Sequence, residues 1–430
     1  FEKYIGVSES AFSRELYMNE EQLKHMLRSG HHIGNHGYNH YWWNSLNKEE
    51  VPLLKEKYFL DNILDDGSYR LNLGELKTNI TITGKIGSGA SIEIYHTSNK
   101  KKPDLEPQKL IFLYHDIVDK MIIIQREGKS EFQYDLKNIV ITIPKNIIIN
   151  FKKCQGDIVV ENISGAINFN EHLGSIKLSG LNGDLKIDSF GGEVNIEDSH
   201  LFSNIYLKND NLKVKNVHGE NKITILGGDL FINNFEGNLE LFSISGLIEL
   251  NNINGDKISC RTSSSFVRGK NIKSNLTLTN NDGDIQLKEI IGRGNLKTTT
   301  GNLLIEDSKG LLSCTTSSGN INLKKISGSS DLESYFGNIY LKSIYDSSVE
   351  NTFHNISTIE GNIDLEIQKD LSLSLSAEID FNRSTQDITS EIPLNFELKD
   401  NRIVGEVSLN QGSLPIVLFS KNGYISIKAY

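Results

Sequence analysis

A chain of 430 residues is long enough to bury a substantial core and to hold two or three domains of ordinary size. With 37% hydrophobic and 23% charged residues, its composition is neither disordered nor membrane-embedded, and it contains no run of 18 apolar residues. A formal charge of −10 argues against nucleic acid as a partner, because phosphate binding needs a basic surface. The one basic cluster, Lys100–Lys101–Lys102, reads as a solvated loop. Three cysteines give no disulfide framework, and six prolines leave little room for long disordered linkers.

The chain begins at Phe1 with no signal peptide in view, and reads as a processed or incomplete product. Its first predicted element is a helix over "NEEQLKHML", with Asn19 as N-cap, Glu20 and Glu21 in the first turn, and Gly30 as the stop. A short strand and loop follow in "RSGHHIGNHGYNHYWW", residues 28–43, which packs His31, His32, His36 and His40 into ten positions. Neutral imidazoles four apart suit one Zn²⁺ ion. The stretch "GHHIGNHGYNH" resembles the second motif of bacterial polysaccharide deacetylases, G-H-E-I-G-x-H-[S/T]-x-x-H, and the likeness covers about residues 1–50. That resemblance implies His36 and His40 as two zinc ligands, with Gly37 where the family has Ser or Thr. The family's mechanism also needs an upstream acid pair, a later arginine motif and a further histidine. The only Asp-Asp pair in reach, Asp65–Asp66 in "LDDG", lies downstream in a linker-like setting. A barrel of this kind takes on the order of 200 residues to fill its core. Residues 1–70 are therefore expected to be a truncated deacetylase-like α/β segment and linker, holding half of a metal site and no catalytic residue.

Residues 71–150 read as an N-terminal β cap, with long alternating strands in "ITITGKIGSGASIEIYH", "KLIFLYHDIVDKMIIIQRE" and "KNIVITIPKNIIINF". His115–Asp116 in "FLYHDIVD" reads as a polar pair at a strand edge, since no nucleophile accompanies it.

The next predicted element is a solenoid over 151–345, built on a nine-residue beat. Glycines recur at 156, 165, 174, 183 and 192, again from 219 to 255, and after a one-residue slip from 283 to 337. The fourth residue after each glycine position is apolar in all 18 units, and the second is apolar in 14. Apolar residues two apart share one face of a strand, and the glycines supply turns. Thr262, Asn280, Thr298, Thr316 and Ser334 fall 18 residues apart, while the intervening units place Glu289, Asp307 and Lys325 at the equivalent spot. Two strands and 18 residues per coil would stack these into one polar ladder, in a rod of roughly 50 Å at the inter-strand spacing. Cys260 and Cys314 are then three coils apart, beyond disulfide reach, and are expected as inward thiols. The acids Asp157, Asp184, Asp229 and Asp284 each follow a turn glycine and are expected to hydrogen-bond local backbone. The G-G-x-G-x-D pattern of calcium-binding nonapeptides is not met.

Residues 346–430 return to long strands in "GNIDLEIQKDLSLSLSAEIDF", "IPLNFELKDNRIVGEVSL" and "LPIVLFSKNGYISI", and read as a C-terminal cap covering an otherwise open strand edge.

From the strand-Pro-Lys entry "ITIPKNIIINF", through the "G-D/N-I-x-L" units, to the closing "GYISI", about residues 71–430 resemble the bacterial "putative adhesin" family, a domain of unknown function. The resemblance implies an all-β, single-stranded right-handed parallel β-helix, extracytoplasmic, often surface-exposed and non-catalytic. Expected partners are glycans or cell-surface proteins, and no cofactor is expected. The alternative is a zinc-dependent deacetylase of N-acetylated polysaccharide, with the solenoid as accessory domain.

Overall fold

The computed structural model describes residues 54–98, 111–126, 134–349, 352–384 and 387–430. His36, His40 and residues 1–53 of the expected α/β segment and linker lie outside them, while its residues 54–70 are described and begin with the strand Leu54–Leu60. The described residues are built from β-strands, without an α-helix. The chain divides into two compact units, residues 1–148 with 154–163, and residues 149–153 with 164–430.

In the first unit Leu54–Leu60 runs antiparallel to Ala90–Ser98, which runs antiparallel to Tyr134–Pro144. Asn79–Lys85 then pairs in parallel with Tyr134–Pro144 and with Ile158–Glu161. Arg70–Gly74 lies parallel to Met121–Arg126, itself antiparallel to Ile111–Asp116. Alternation of apolar and polar residues in "ITI", "SIEI" and "IVITI" buries Ile80, Ile82, Ile92, Ile94, Ile139 and Ile141 on one side of each strand. Lys55 and Lys57 of the first strand both pair with Glu93, at 2.8 Å.

The second unit is the solenoid. Its strands stack in parallel at a register of 18, as in Phe169↔Ile187↔Ile205↔Ile223↔Leu241 and Leu178↔Ile196↔Val214↔Ile232. The second block runs Leu278↔Leu296↔Cys314↔Leu332 and Leu287↔Ile305↔Leu323↔Leu341. All of the 18 apolar side chains picked out by the repeat, Val160 of the first unit included, are at most 5% exposed. Full burial of one such side chain is worth about 1.5–3 kcal/mol, so the spine dominates the unit's stability. The slip in the beat is one extra residue after Gly255. Beyond it the partners of Glu249 and Asn252 are Arg268 and Asn271, 19 residues on.

Corners alternate between two kinds. At one, a residue outside the glycine rows takes a left-handed φ: Asp198, Asn216, Asn234, Asn252, Asn271, Glu289, Asp307 and Lys325. At the other lies the expected polar ladder: Thr262, Asn280, Thr298, Thr316 and Ser334 are all buried.

The stacking continues beyond 345. Ser330–Ser334 pairs with His354–Thr358, now 24 residues on, and that strand pairs with Ile416–Ser420, 62 residues on. The chain's last strands, Leu414–Ser420 and Ile425–Ala429, are thus threaded inside the stack. Leu373–Asp380 and Ile388–Ser390, earlier in sequence, lie outside them. Arg402–Leu409, antiparallel to Leu373–Asp380, and Asn395–Lys399 complete that end.

Candidate binding cleft

Of the four acids that follow turn glycines, Asp229 and Asp284 act between coils and not within a turn. Asp229 Oδ1 accepts from the amide of Leu247, and Asp284 Oδ1 from that of Asn302, both at 2.8 Å and 18 residues on. Asn302, Asn320, Asn338 and Asn362 carry the same bond up successive coils at 2.8–2.9 Å. Local backbone bonding is therefore not their role; a side chain one residue past the corner points along the stack and reaches the next coil's amide. In the first unit the amide of Asp157 donates to Asn79 Oδ1 at 2.9 Å.

Asp184 stands elsewhere, on the outer face of the strands beginning at Asn182. There a cleft of about 810 Å³ crosses several coils, lined by Asn168, Asp184, Lys186, Phe202, Asn204, Glu220, Lys222, Asn238, Glu240, Lys257 and others. Register builds it. Asp184, Phe202, Glu220 and Asn238 form one row, and Lys186, Asn204, Lys222 and Glu240 form the next, each residue one coil from its neighbour. Phe202 is 53% exposed, and the His200 ring meets it edge-on at 5.9 Å. Lys222 Nζ is 3.0 Å from Glu240 Oε1. Three lysines face three carboxylates, so the lining carries no net charge within a chain of −10.

Beneath the cleft the spine is irregular. Ser203 and Asn221, two of the four units without an apolar residue at the second position, are buried side by side, and the serine hydroxyl donates to Asn221 Oδ1. In the intervening unit Asp210 stands in a glycine's place, fully buried. One of its carboxylate oxygens accepts from the Gly192 amide, and burial raises its pKa from the ordinary aspartate value. Sequence reasoning missed the cleft because its outward residues have no repeat pattern. The missing glycines at Leu201 and Asp210 were the available signal.

The other sequence candidates have structural duties. Asp65 Oδ1 accepts from the Asn146 backbone and side-chain amides at 2.9 Å, and Asp66 accepts from Ser68 and pairs with Lys120 at 3.5 Å. The Ser68 bonds hold the Asp66 carboxyl below its ordinary pKa. Both acids close turns and do not converge as a metal-binding pair. Asp116 likewise caps a turn, accepting from the amides of Val118 and Asp119 and from the Tyr114 hydroxyl. Desolvation lowers the pKa of half-buried His115 beside it. Cys260 and Cys314 are free, buried thiols, both pushed up to about 12 by burial. Among the described residues no group of three or more His, Cys, Asp or Glu is placed to hold a metal ion. No helix among them is long and apolar enough to cross a membrane.

Residues 237–428 match the Toastrack domain family DUF4097, and residues 8–55 match the polysaccharide deacetylase family. No curated protein matches. One similar solved structure is described as a "putative cell adhesion protein" from Clostridium sporogenes, at 10% identity and a TM-score of 0.18, covering 88% of this chain and 99% of that one. Another is described as a "putative adhesin" from Bacteroides fragilis, at 13% identity and a TM-score of 0.21, covering 88% of this chain and 97% of that one. The resemblance read from the repeats and closing strands holds: over residues 237–428 the chain matches the Toastrack domain DUF4097, and over 8–55 a fragment of polysaccharide deacetylase.

Proposed function

We propose that the solenoid is a non-catalytic, adhesin-like binding module of an exported or surface protein, and that it engages glycans or neighbouring surface proteins through the cleft at Phe202. The observation that carries this reading is the cleft's chemistry. An exposed aromatic ring stands among amide side chains and charges that cancel, on strands fixed by parallel ladders to both sides. Such a surface suits a neutral, hydroxyl-rich ligand, which stacks one face on the ring and hydrogen-bonds around it. Rows of side chains one coil apart also suit a polymer laid along the stack. The test is binding of the full chain to immobilised glycans, with Phe202→Ala and Asn204→Ala variants. Loss of one aromatic contact should weaken binding roughly five- to tenfold, and unchanged binding in both variants would sink the cleft.

A second reading rests on the match over 8–55: a zinc-dependent deacetylase of N-acetylated polysaccharide. His36 and His40 would hold the ion as neutral imidazoles. Asp65 and Asp66, committed to turns, do not fit as its acid partners. Zinc bound in stoichiometric amount and lost in His36→Ala would favour this reading.

A further inference from the structure

In the later coils each buried hydroxyl begins a Thr/Ser-x-x-Gly turn, and the two middle residues form an outer ledge. Successive steps of the ledge are Thr299–Thr300, Ser317–Ser318, Tyr335–Phe336, Ile359–Glu360 and Lys421–Asn422. Backbone bonds lock each step to the one before. The amides of Ser317 and Ser318 donate to the Thr299 carbonyl at 3.1 and 3.0 Å, that of Phe336 to Ser317 at 2.9 Å, and that of Glu360 to Tyr335 at 2.9 Å. The Asn422 amide donates to the Ile359 carbonyl at 2.9 Å.

On this ledge Tyr335 and Phe336 are 52% and 58% exposed, with ring centroids 4.6 Å apart. Tyr424, equally exposed at 58%, follows Gly423, and Arg383 lies over its ring at 5.3 Å. Gly337, Gly361 and Gly423 stack directly on one another, so the Tyr335–Phe336 pair and Tyr424 are two coils apart. Two coils are about 10 Å. Large aromatic side chains held in water by a fixed turn gain nothing for folding and present apolar faces to a partner.

Pyranose rings carry an apolar C–H face and a rim of hydroxyls, and one ring spans about one coil's rise. In a linear β-1,4-linked polysaccharide alternate rings are turned over, so every second sugar shows the same face. Aromatics two coils apart match that period. The exposed hydroxyls of Thr299, Thr300, Ser317 and Ser318 continue the ledge with hydrogen-bonding groups, while Glu360 and Lys421 offset each other in charge.

We propose that this ledge binds an uncharged, linear β-1,4-linked polysaccharide lying along the coil axis, with the Tyr335–Phe336 step and Tyr424 stacking on alternate sugars. The proposal rests on the reading of the solenoid as a binding module, but uses a surface further along the chain than the cleft. Its test uses the full chain, insoluble chitin and cellulose for retention, and chitohexaose and cellohexaose for titration. One variant combines Tyr335→Ser with Phe336→Ser, copying Ser317–Ser318. The other is Tyr424→Asn, copying Asn338 and Asn362 in the coils below. Both keep residue types that this turn already accepts, and an unchanged thermal transition verifies the fold. The expected result is retention of the wild type on one of the polymers and at least a tenfold rise in Kd in each variant, with Phe190→Ala, at a 53% exposed ring outside both the ledge and the cleft, unaffected. Binding lost in Phe202→Ala but kept in the ledge variants would overturn the ledge and leave the cleft standing. Failure of the wild type to bind any of these polymers, or self-association that only the ledge variants abolish, would also overturn it.

Discussion

Ser334 Oγ lies 2.9 Å from the amide nitrogen of Gly337, three residues on in the same turn, and donates to the carbonyl of Gly319 in the coil below at 3.3 Å. Thr316, Thr358 and Ser420 make the same two bonds, to Gly319 and Gly301, Gly361 and Gly337, and Gly423 and Gly361. Each hydroxyl satisfies a buried amide and a buried carbonyl together, tying a turn both to itself and to its neighbour. Ser334→Ala leaves both groups without a partner, at a cost of about 1–3 kcal/mol. Ser334→Thr supplies the hydroxyl used in other coils and should cost little. Urea denaturation of the two variants checks this, and equal midpoints would contradict it.

Gly319 needs to be glycine because of close approach. A Cβ there would lie 1.9 Å from the Gly301 carbonyl oxygen, and Gly319 is not among the residues of positive φ. Gly87 is the opposite case, with a φ of +94° and nothing within 4 Å of an added Cβ. Gly319→Ala should force two coils apart and cost about 3 kcal/mol or more, whereas Gly87→Ala pays backbone strain alone, roughly 1 kcal/mol. Thermal unfolding of both variants separates the two effects. Comparable losses would mean that the glycine row is a matter of φ after all.

The inward face was legible because burial acts on every coil alike. One inward position repeated 18 times leaves a periodic trace, and so does the hydroxyl ladder from Thr262 to Ser334. The ladder's continuation at Thr358 and Ser420 was not legible. Insertions stretch the spacing to 24 and 62 residues, and only the pairing of His354–Thr358 with Ile416–Ser420 reveals where Ser420 belongs. The cleft and the ledge were hidden for a different reason. Outward side chains answer to solvent and ligand, so Phe202, Phe336 and Tyr424 obey no period.

His354 gives the solenoid a pH dependence. It is 1% exposed, with Nε2 2.8 Å from Ser343 Oγ, and no partner among the described residues at Nδ1. Burial pushes its pKa down to about 4 from 6.5. The folded state therefore holds the ring neutral where the unfolded chain would already take a proton. Stability from this source is complete above pH 6.5 and is lost as pH falls from 6.5 to 4, by roughly 3 kcal/mol in all. His354→Gln keeps a polar group beside Ser343 but does not titrate, so its stability should change less over that window. Urea midpoints at pH 7, 5.5 and 4.5 measure the difference. Parallel profiles for the two proteins would show that His354 is not the source.

Length is the remaining test of the stack. Deleting residues 284–301 removes one coil of 18 and joins Gly283 to Asn302, so that Asn280 meets Thr316 in the ladder and Leu287's place is taken by Ile305. Every inward row stays in phase, and a folded, shorter solenoid should result, with a urea m-value reduced in proportion to the surface removed. Deleting only residues 284–292 keeps the nine-residue beat but joins Gly283 to Arg293. Thr298 would then fall where Glu289 now turns the corner with φ of 58°. Apolar residues would still face inward, so hydrophobic pattern alone would let both deletions fold. Mismatched corners forbid the shorter one, because a β-branched threonine resists left-handed φ and the buried carbonyls below lose their hydroxyl. The expected outcome is therefore a cooperative transition and native-like near-UV circular dichroism for the longer deletion, and neither for the shorter. Folding of both would show that the unit of construction is nine residues and not eighteen.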